Sequence, residues 1–335
     1  MGPVSSGPHQ DLFPDSIFVP MPQSPAESAA VIRRGSFQFH LEHGIFHNGV
    51  WDCRNGRLII DSYMQAGQDV VTLFSPLHPA RSTSIITAFQ NLEIPEQSGY
   101  GCWFYNEFIL FPDDGGDDIS AVTFIINRQA ARAHLSELQA GAWSQVRISD
   151  TIELPQRSRR ILPPLHAHGK FYMVCMAGHI LALDPGLMSL FCIKLPDGME
   201  YEDRENFALC RAEGAGFFLI HLNMSRIYVW AHSTGCRIGS WKLLDSLCVH
   251  QVFGYLVDPS FRLSKNSVVR VTVAGDNANF VILEIEQKLF CVHIWSRTVE
   301  KVFELPTCRK GFEVHPFMMV WPSTFPKWSD GQDTI

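Results

Sequence analysis

The chain has 335 residues, 46% of them hydrophobic and 18% charged, which excludes a disordered polymer and leaves length for one large or two ordinary domains. A formal net charge of −7 and a pI of about 6.0 argue against a nucleic-acid surface, which needs clustered Lys and Arg to displace counterions. Cysteines at 53, 102, 175, 192, 210, 236, 248, 291 and 308 form no CxxC pair and lie mostly inside apolar runs. That spacing fits reduced, buried thiols in a cytoplasmic or nuclear protein, rather than a disulfide framework or a zinc site.

Residues 1–45 read as a leader and linker. The first 30 residues are rich in Pro, Ser and Gly, with FVPMPQSP at 18–25, and suit an extended chain. MGPVSS fits the loose acylation pattern M-G-x-x-x-S, but Pro3 stiffens the segment a transferase must thread. No charged-then-apolar secretory signal opens the chain, so the sequon Asn223-Met224-Ser225 carries little weight. RRGS at 33–36 matches a basic-directed kinase site, a commonplace pattern. In HLEHGIFH, 40–47, the imidazoles of His40, His43 and His47 would share one helix face as metal ligands. Gly44 and the bulky residues after it oppose a helix, and the plainer reading is a loop leading into the first sheet.

From about Gly49 to Trp328 the text is uniform: apolar runs of four to six residues separated by turn signals. VWDCRNGRLII, 50–60, poses a choice between a thiol, Cys53, activated by Arg54 and Arg57, and a hairpin turning at Asn55-Gly56. The dipeptide tolerates positive φ at both central positions of a type I′ turn, and no base stands near, so the hairpin Val50–Arg54/Arg57–Asp61 is expected. DDGGDD at 113–118 lacks the EF-hand order and reads as a solvated loop. ARAHLSELQA, 131–140, is the best helix candidate in a chain otherwise short of helical periodicity. RSRR at 157–160, just before Pro163-Pro164, reads as a solvated loop. His166 and His168 of HAH would sit on one face of a strand, or in a polar turn after Pro164.

Residues 173–193 are apolar enough to span a bilayer, but Asp184-Pro185-Gly186 divides them into two or three buried strands. GAGFFL at 214–219 lacks the last glycine of a dinucleotide fingerprint and leads into a strand. No P-loop and no GxSxG elbow occur.

A unit recurs. FYMV-CMAGH-ILALD (171–184), FFLI-HLNMSR-IYVW (217–230) and FVIL-EIEQK-LFCVHIW (280–295) each give strand, a connection of five or six residues, and strand. A third strand follows, with Phe191, Trp241 or Phe303 near its start. Aromatics at 103, 143, 191, 241 and 303, three of them in Gly-x-Trp, stand 40, 48, 50 and 62 residues apart. The last and longest gap holds the loop 258–267. Such periods match the ~40–50 residues of a four-stranded propeller blade, so ~280 residues give about six blades. The fold class is therefore all-β, a β-propeller over residues 46–328 with a polar tail at 329–335, and PFMMVWP (316–322) is expected to close the ring against the first blade.

Several segments, taken in order, resemble the C-terminal propeller of plant F-box proteins, in particular the F-box-associated family of grasses. They are WDCRNGRLII (51–60), AVTFIINRQAARAHLSELQAGAW (121–143), HGKFYMVCMAGHILALDPGLMSLFCIKLP (168–196), FALCRAEGAGFFLIHLNMSRIYVW (207–230) and KVFELPTCRKGFEVHPFMMVWPSTF (301–325). FVPMPQSP and RRGSF resemble the connector that follows the F-box there. The ~40-residue helical F-box itself has no counterpart in residues 1–45.

The resemblance implies a non-catalytic, substrate-recruiting propeller of an SCF-type E3 ubiquitin ligase. No catalytic, cofactor or metal residue and no cofactor is implied. Its partner would be an unknown protein substrate, with a Skp-type adaptor engaged only if an upstream F-box exists; no nucleic acid and no membrane are expected. The alternative is a propeller enzyme or metal protein with a central-channel site fed by His40, His43 or His166.

Overall fold

The structure is a computed structural model; it describes residues 45–54, 56–64, 69–76, 83–86, 104–110, 119–127, 129–139, 142–155, 164–175, 178–197, 199, 206–214, 216–233, 240–254, 267–305 and 314–315. The chain divides into two compact units, residues 1–87 with 315–335, and residues 88–314.

Among the described residues, the first unit holds one four-stranded antiparallel sheet, sheet I, with strands in chain order: β1 (Ile45–Arg54), β2 (Arg57–Met64), β3 (Asp69–Phe74) and β4 (Thr83–Ile86). The hairpin expected at Asn55-Gly56 is present. Arg54 pairs with Arg57 and Gly56 has φ 70°, a conformation that costs glycine nothing. Cys53, Leu58 and Ile60 form a small buried cluster with Val50 and Phe74 against it.

Among the described residues, the second unit holds four sheets of the same plan. Sheet II contains β5 (Phe104–Leu110), β6 (Ser120–Ile126), β7 (Ala130–Gln139) and β8 (Ala142–Ile148), with the short β9 (Ile152–Glu153) on β7. Sheet III contains β10 (Leu165–Ala167), β11 (Lys170–Cys175), β12 (His179–Asp184) and β13 (Ser189–Lys194). Sheet IV contains β14 (Phe207–Arg211), β15 (Gly216–Asn223), β16 (Arg226–Ser233) and β17 (Trp241–Cys248). Sheet V contains β18 (Val269–Ala274), β19 (Phe280–Ile285), β20 (Lys288–His293) and β21 (Thr298–Glu304). A helix of one turn and a half, α1 (Val249–Phe253), follows β17.

Within the second unit consecutive sheets share cores, and strand alternation decides which side chain goes where. In β11 and β12, Phe171, Met173, Leu181 and Leu183 join Val122, Phe124, Ile126, Ala133 and Leu135 of sheet II. The alternate residues Tyr172, Val174, Ile180 and Ala182 join Phe207, Phe217 and Leu219 of sheet IV. The other face of sheet IV, with Ile220, Leu222, Ile227 and Val229, packs on Val281, Leu283, Phe290 and Val292 of sheet V, and α1 adds Val252 and Phe253. A strand buried on both faces must be apolar at every position, which is why these segments read as unbroken hydrophobic runs. Each such side chain contributes about 1.5–3 kcal/mol on burial. No sheet can bury both faces alone, so the stack holds together only as a stack.

Three expectations need correction. ARAHLSELQA is strand β7, paired with β6 on one side and β8 on the other. Its Ala, Leu, Glu and Gln favour a helix, but Ala131, Ala133 and Leu135 alternate into the core between sheets II and III while His134 and Ser136 are buried on the opposite face. Tertiary pairing overrides propensity there. An Asx turn feeds the strand, the Asn127 side-chain oxygen accepting from the N–H groups of Gln129 and Ala130 at 2.8 and 2.7 Å.

The connections inside the recurring unit are shorter than the five or six residues expected. Only Met224-Ser225 separates β15 from β16, and Glu286-Gln287 separates β19 from β20. Glu286 and Gln287 both take positive φ, 49° and 64°, so a type I′ geometry is reached without Gly or Asn and the strands run on through residues that look like loop. Phe303 lies near the end of β21 rather than its start, whereas Trp241 does open β17.

Residues 173–193 form β11, β12 and β13, as Asp184-Pro185-Gly186 implies, and among the described residues no helix is long and apolar enough to cross a membrane. Residues 316–322 lie outside the described residues.

Candidate functional site

Of the residues singled out for chemistry, the structure describes the side chains of Cys53, His166 and His168. Cys53 is buried among apolar side chains, an inert setting for a thiol. His40 and His43 lie outside the described residues, as do 33–36, 113–118 and 157–160, and nothing of the His47 side chain is described. His166 and His168 do not share a strand face. His166 sits in β10, its ring 4.9 Å from that of Phe171, while His168 takes φ 51° beside Gly169 at φ 70° in the two-residue turn to β11. GAGFFL is structural: Gly216 opens β15 at φ 144°, where a Cβ would collide with the His232 carbonyl. Cys192 and Cys248 are half-buried and Cys210 and Cys291 are buried, all as free thiols.

The loops at one end of the second unit interlock. The first turn of sheet III reaches sheet IV through His168 Nε2, 3.0 Å from the Ala212 carbonyl oxygen. The corresponding connection of sheet IV reaches sheet V, Glu213 N–H donating to Asn277 Oδ1 at 2.6 Å. Trp295 Nε1 then donates to the Asn277 carbonyl at 3.2 Å.

In sheets III and V the turn between third and fourth strands leaves from this same end, and it too is tied. Arg147 of β8 donates to the Gly186 carbonyl at 2.7 Å. Arg297 donates from Nη2 to both oxygens of Asp245 on β17, at 2.6 and 2.7 Å. A rim held this way is a rigid platform, and it presents Leu187 (78% exposed) and Trp295 (48%) to solvent. Met224, on the opposite end, is 93% exposed.

One cluster of donor side chains has no counterpart in the sequence reading. Cys291 and His293 lie two apart on β20, hence on one face, and Cys291 pairs with Glu300 of β21. His293 Nε2 stands 3.7 Å from Cys291 Sγ and 3.0 Å from Glu300 Oε1. Burial, and then the Glu300 carboxylate, push the Cys291 thiol up to about 12, which removes it as a nucleophile at neutral pH. The sequence signal is the Cys-x-His step on a strand; the glutamate is invisible until the register of β20 and β21 is known.

Two buried histidines do structural work. His221 stacks on Phe207 at 4.6 Å and His232 on Phe217 at 4.9 Å, and desolvation lowers both pKa values, keeping the rings neutral.

The family model described as "F-box protein AT5G49610-like, beta-propeller" matches residues 49–325. The chain belongs to that family. Its four-stranded antiparallel sheets are propeller-type sheets, as the recurring unit implied. Comparison with curated proteins gives no match.

Among solved structures, the chain is similar to an oligogalacturonate lyase in complex with manganese, with 9% identity, TM-score 0.40 and 81% of each chain covered. It is also similar to the Cps50 (Swd1) β-propeller domain of Myceliophteria thermophila, with 12% identity, TM-score 0.36, and 74% of this chain and 67% of that one covered. The WD40 domain of SCAP from fission yeast matches with 9% identity, TM-score 0.33, and coverage of 81% and 58%.

Proposed function

We propose that the chain is a non-catalytic protein-interaction propeller that, joined to an F-box, recruits substrate for an SCF-type ubiquitin ligase in the cytoplasm or nucleus of a plant cell. The observation that carries this reading is membership, over residues 49–325, in a family described as the propeller of an F-box protein. In this reading residues 46–328 form one ring of about six blades. The N-terminal strand pairs with residues 316–322 to close it, and residues 1–45 serve as a connector.

The partner lies against the rim carrying Leu187 and Trp295, because apolar side chains held out on tied turns supply contact area at little ordering cost. A Skp-type adaptor is engaged only through an F-box, and the ligase chemistry belongs to other subunits.

The test is affinity capture of tagged chain from plant cells under proteasome inhibition, wild type against a Leu187→Asp/Trp295→Asp double variant whose circular dichroism matches wild type. The expected result is a protein bound by wild type, reduced at least tenfold with the variant, whose ubiquitin conjugates decline when the chain is depleted. Equal capture by both forms, with conjugates unchanged by depletion, would overturn the reading.

A further inference from the structure

We propose that Cys291, His293 and Glu300 form a binding site for one divalent cation of the zinc class, held on the β20–β21 hairpin. The three donor atoms all lie within 4.8 Å of one another. With bonds of about 2.3 Å to sulfur and 2.0–2.2 Å to nitrogen or oxygen, tetrahedral donors stand about 3.3–3.6 Å apart. The observed 3.7 Å for Nε2 to Sγ and 3.0 Å for Nε2 to Oε1 bracket that separation, and the sulfur and the carboxylate stand within 4.8 Å of each other, so side-chain rotation about these three residues would seat an ion.

The arrangement is not a catalytic relay. A nucleophile–base–carboxylate triad engages the two different nitrogens of its histidine. Here both the thiol and the carboxylate approach the same Nε2, so the three donors form a cluster rather than a chain.

The donor set selects the ion. One sulfur, one imidazole nitrogen and one carboxylate oxygen suit zinc and its neighbours, whereas calcium and magnesium require oxygen ligands throughout. Three protein ligands leave a fourth position, and His293, with its side chain 35% exposed, gives it access to solvent. Bound there, the cation would neutralise a thiolate and a carboxylate brought together by strand register, and would join the last two strands of sheet V.

The probe is Co²⁺, titrated into chelator-stripped full-length protein, because a cysteine-ligated cobalt gives a thiolate charge-transfer band that histidine and carboxylate sites elsewhere cannot. One equivalent is expected, displaced by Zn²⁺, with a rise in unfolding temperature on zinc binding. Cys291→Ala should abolish the band and Glu300→Gln should weaken binding at least tenfold, while Cys192→Ala leaves both unchanged.

Ala182 occupies the equivalent position of sheet III, so Cys291→Ala has a precedent in the same frame; should it nonetheless unfold, the Glu300→Gln titration decides. A folded wild type without the band, a band that survives Cys291→Ala, or unchanged affinity in Glu300→Gln would each overturn the proposal.

Discussion

Sheets III and V are the same frame carrying different chemistry. Each joins its third and fourth strands through a four-residue turn, Pro185–Met188 or Ile294–Arg297, whose last residue takes positive φ, 50° at Met188 and 59° at Arg297. Registers coincide: Ala182 faces Phe191 as Cys291 faces Glu300, and Asp184 occupies the place of His293. Sheet III fills that corner with a Lys170–Asp184 ion pair at 3.0 Å and sets the Lys170 ammonium 6.0 Å from the Phe191 ring centroid. Burial raises the Asp184 carboxyl, but hydrogen bonds from Lys170 and from the N–H groups of Leu187 and Gly186 outweigh it and leave it lowered. The frame therefore makes no demand for a Cys, His and Glu at these positions. Their meeting in sheet V is a property of that sequence, which is why the cation site and the fold can be tested separately.

The largest effect should come from the core positions the two sheets share. Leu181 and Phe290 are equivalent and fully buried, each facing the preceding sheet. Urea unfolding should show Phe290→Ala costing about 3–5 kcal/mol and Leu181→Ala about 2–5. Losses under 1 kcal/mol in both would mean that the sheets do not share cores as described.

Sheet IV, between the two, supplies a pH test. His221 and His232 have folded pKa values below 6.5, so the unfolded chain takes up protons first as pH falls. Stability is complete above about 6.5 and declines as pH drops through the folded values, with no further loss from these groups below them. The unfolding temperature should fall from pH 7.5 to pH 5, and Phe-for-His substitution at 232 should flatten the slope; a profile unchanged by that substitution contradicts the assignment.

A smaller effect attends the Arg297–Asp245 tie between sheets V and IV. Its bidentate geometry and half-buried carboxylate place it at the upper end for partly exposed pairs, about 1 kcal/mol, and added salt should shrink the difference between wild type and Arg297→Ala. Smallest is Lys170→Met, which loses an ion pair but keeps the stem over Phe191, with a cost below about 1 kcal/mol.

Much of the frame was legible because local chemistry dictated it. Asn55-Gly56 named a hairpin, Asp184-Pro185-Gly186 divided a membrane-like run, and doubly buried strands showed as unbroken apolar text. What escaped depended on partners distant in sequence. The residues of β7 carry helix-forming side chains, and only pairing with β6 and β8 makes them a strand. Glu286-Gln287 turns tightly without a turn residue because the flanking ladder imposes it. The donor cluster needed the pairing of Cys291 with Glu300, nine positions apart, a fact of register that no local spacing encodes.

A crystal structure of the chain is the most direct test of the central claim that look-alike sheets bury one another's faces, and of the proposal that they close into a ring. The account predicts sheets III, IV and V stacked as described, about six blades in all, and residues 316–322 hydrogen-bonded into the first sheet. An open stack, or a face of sheet III or IV bare to solvent, would contradict it.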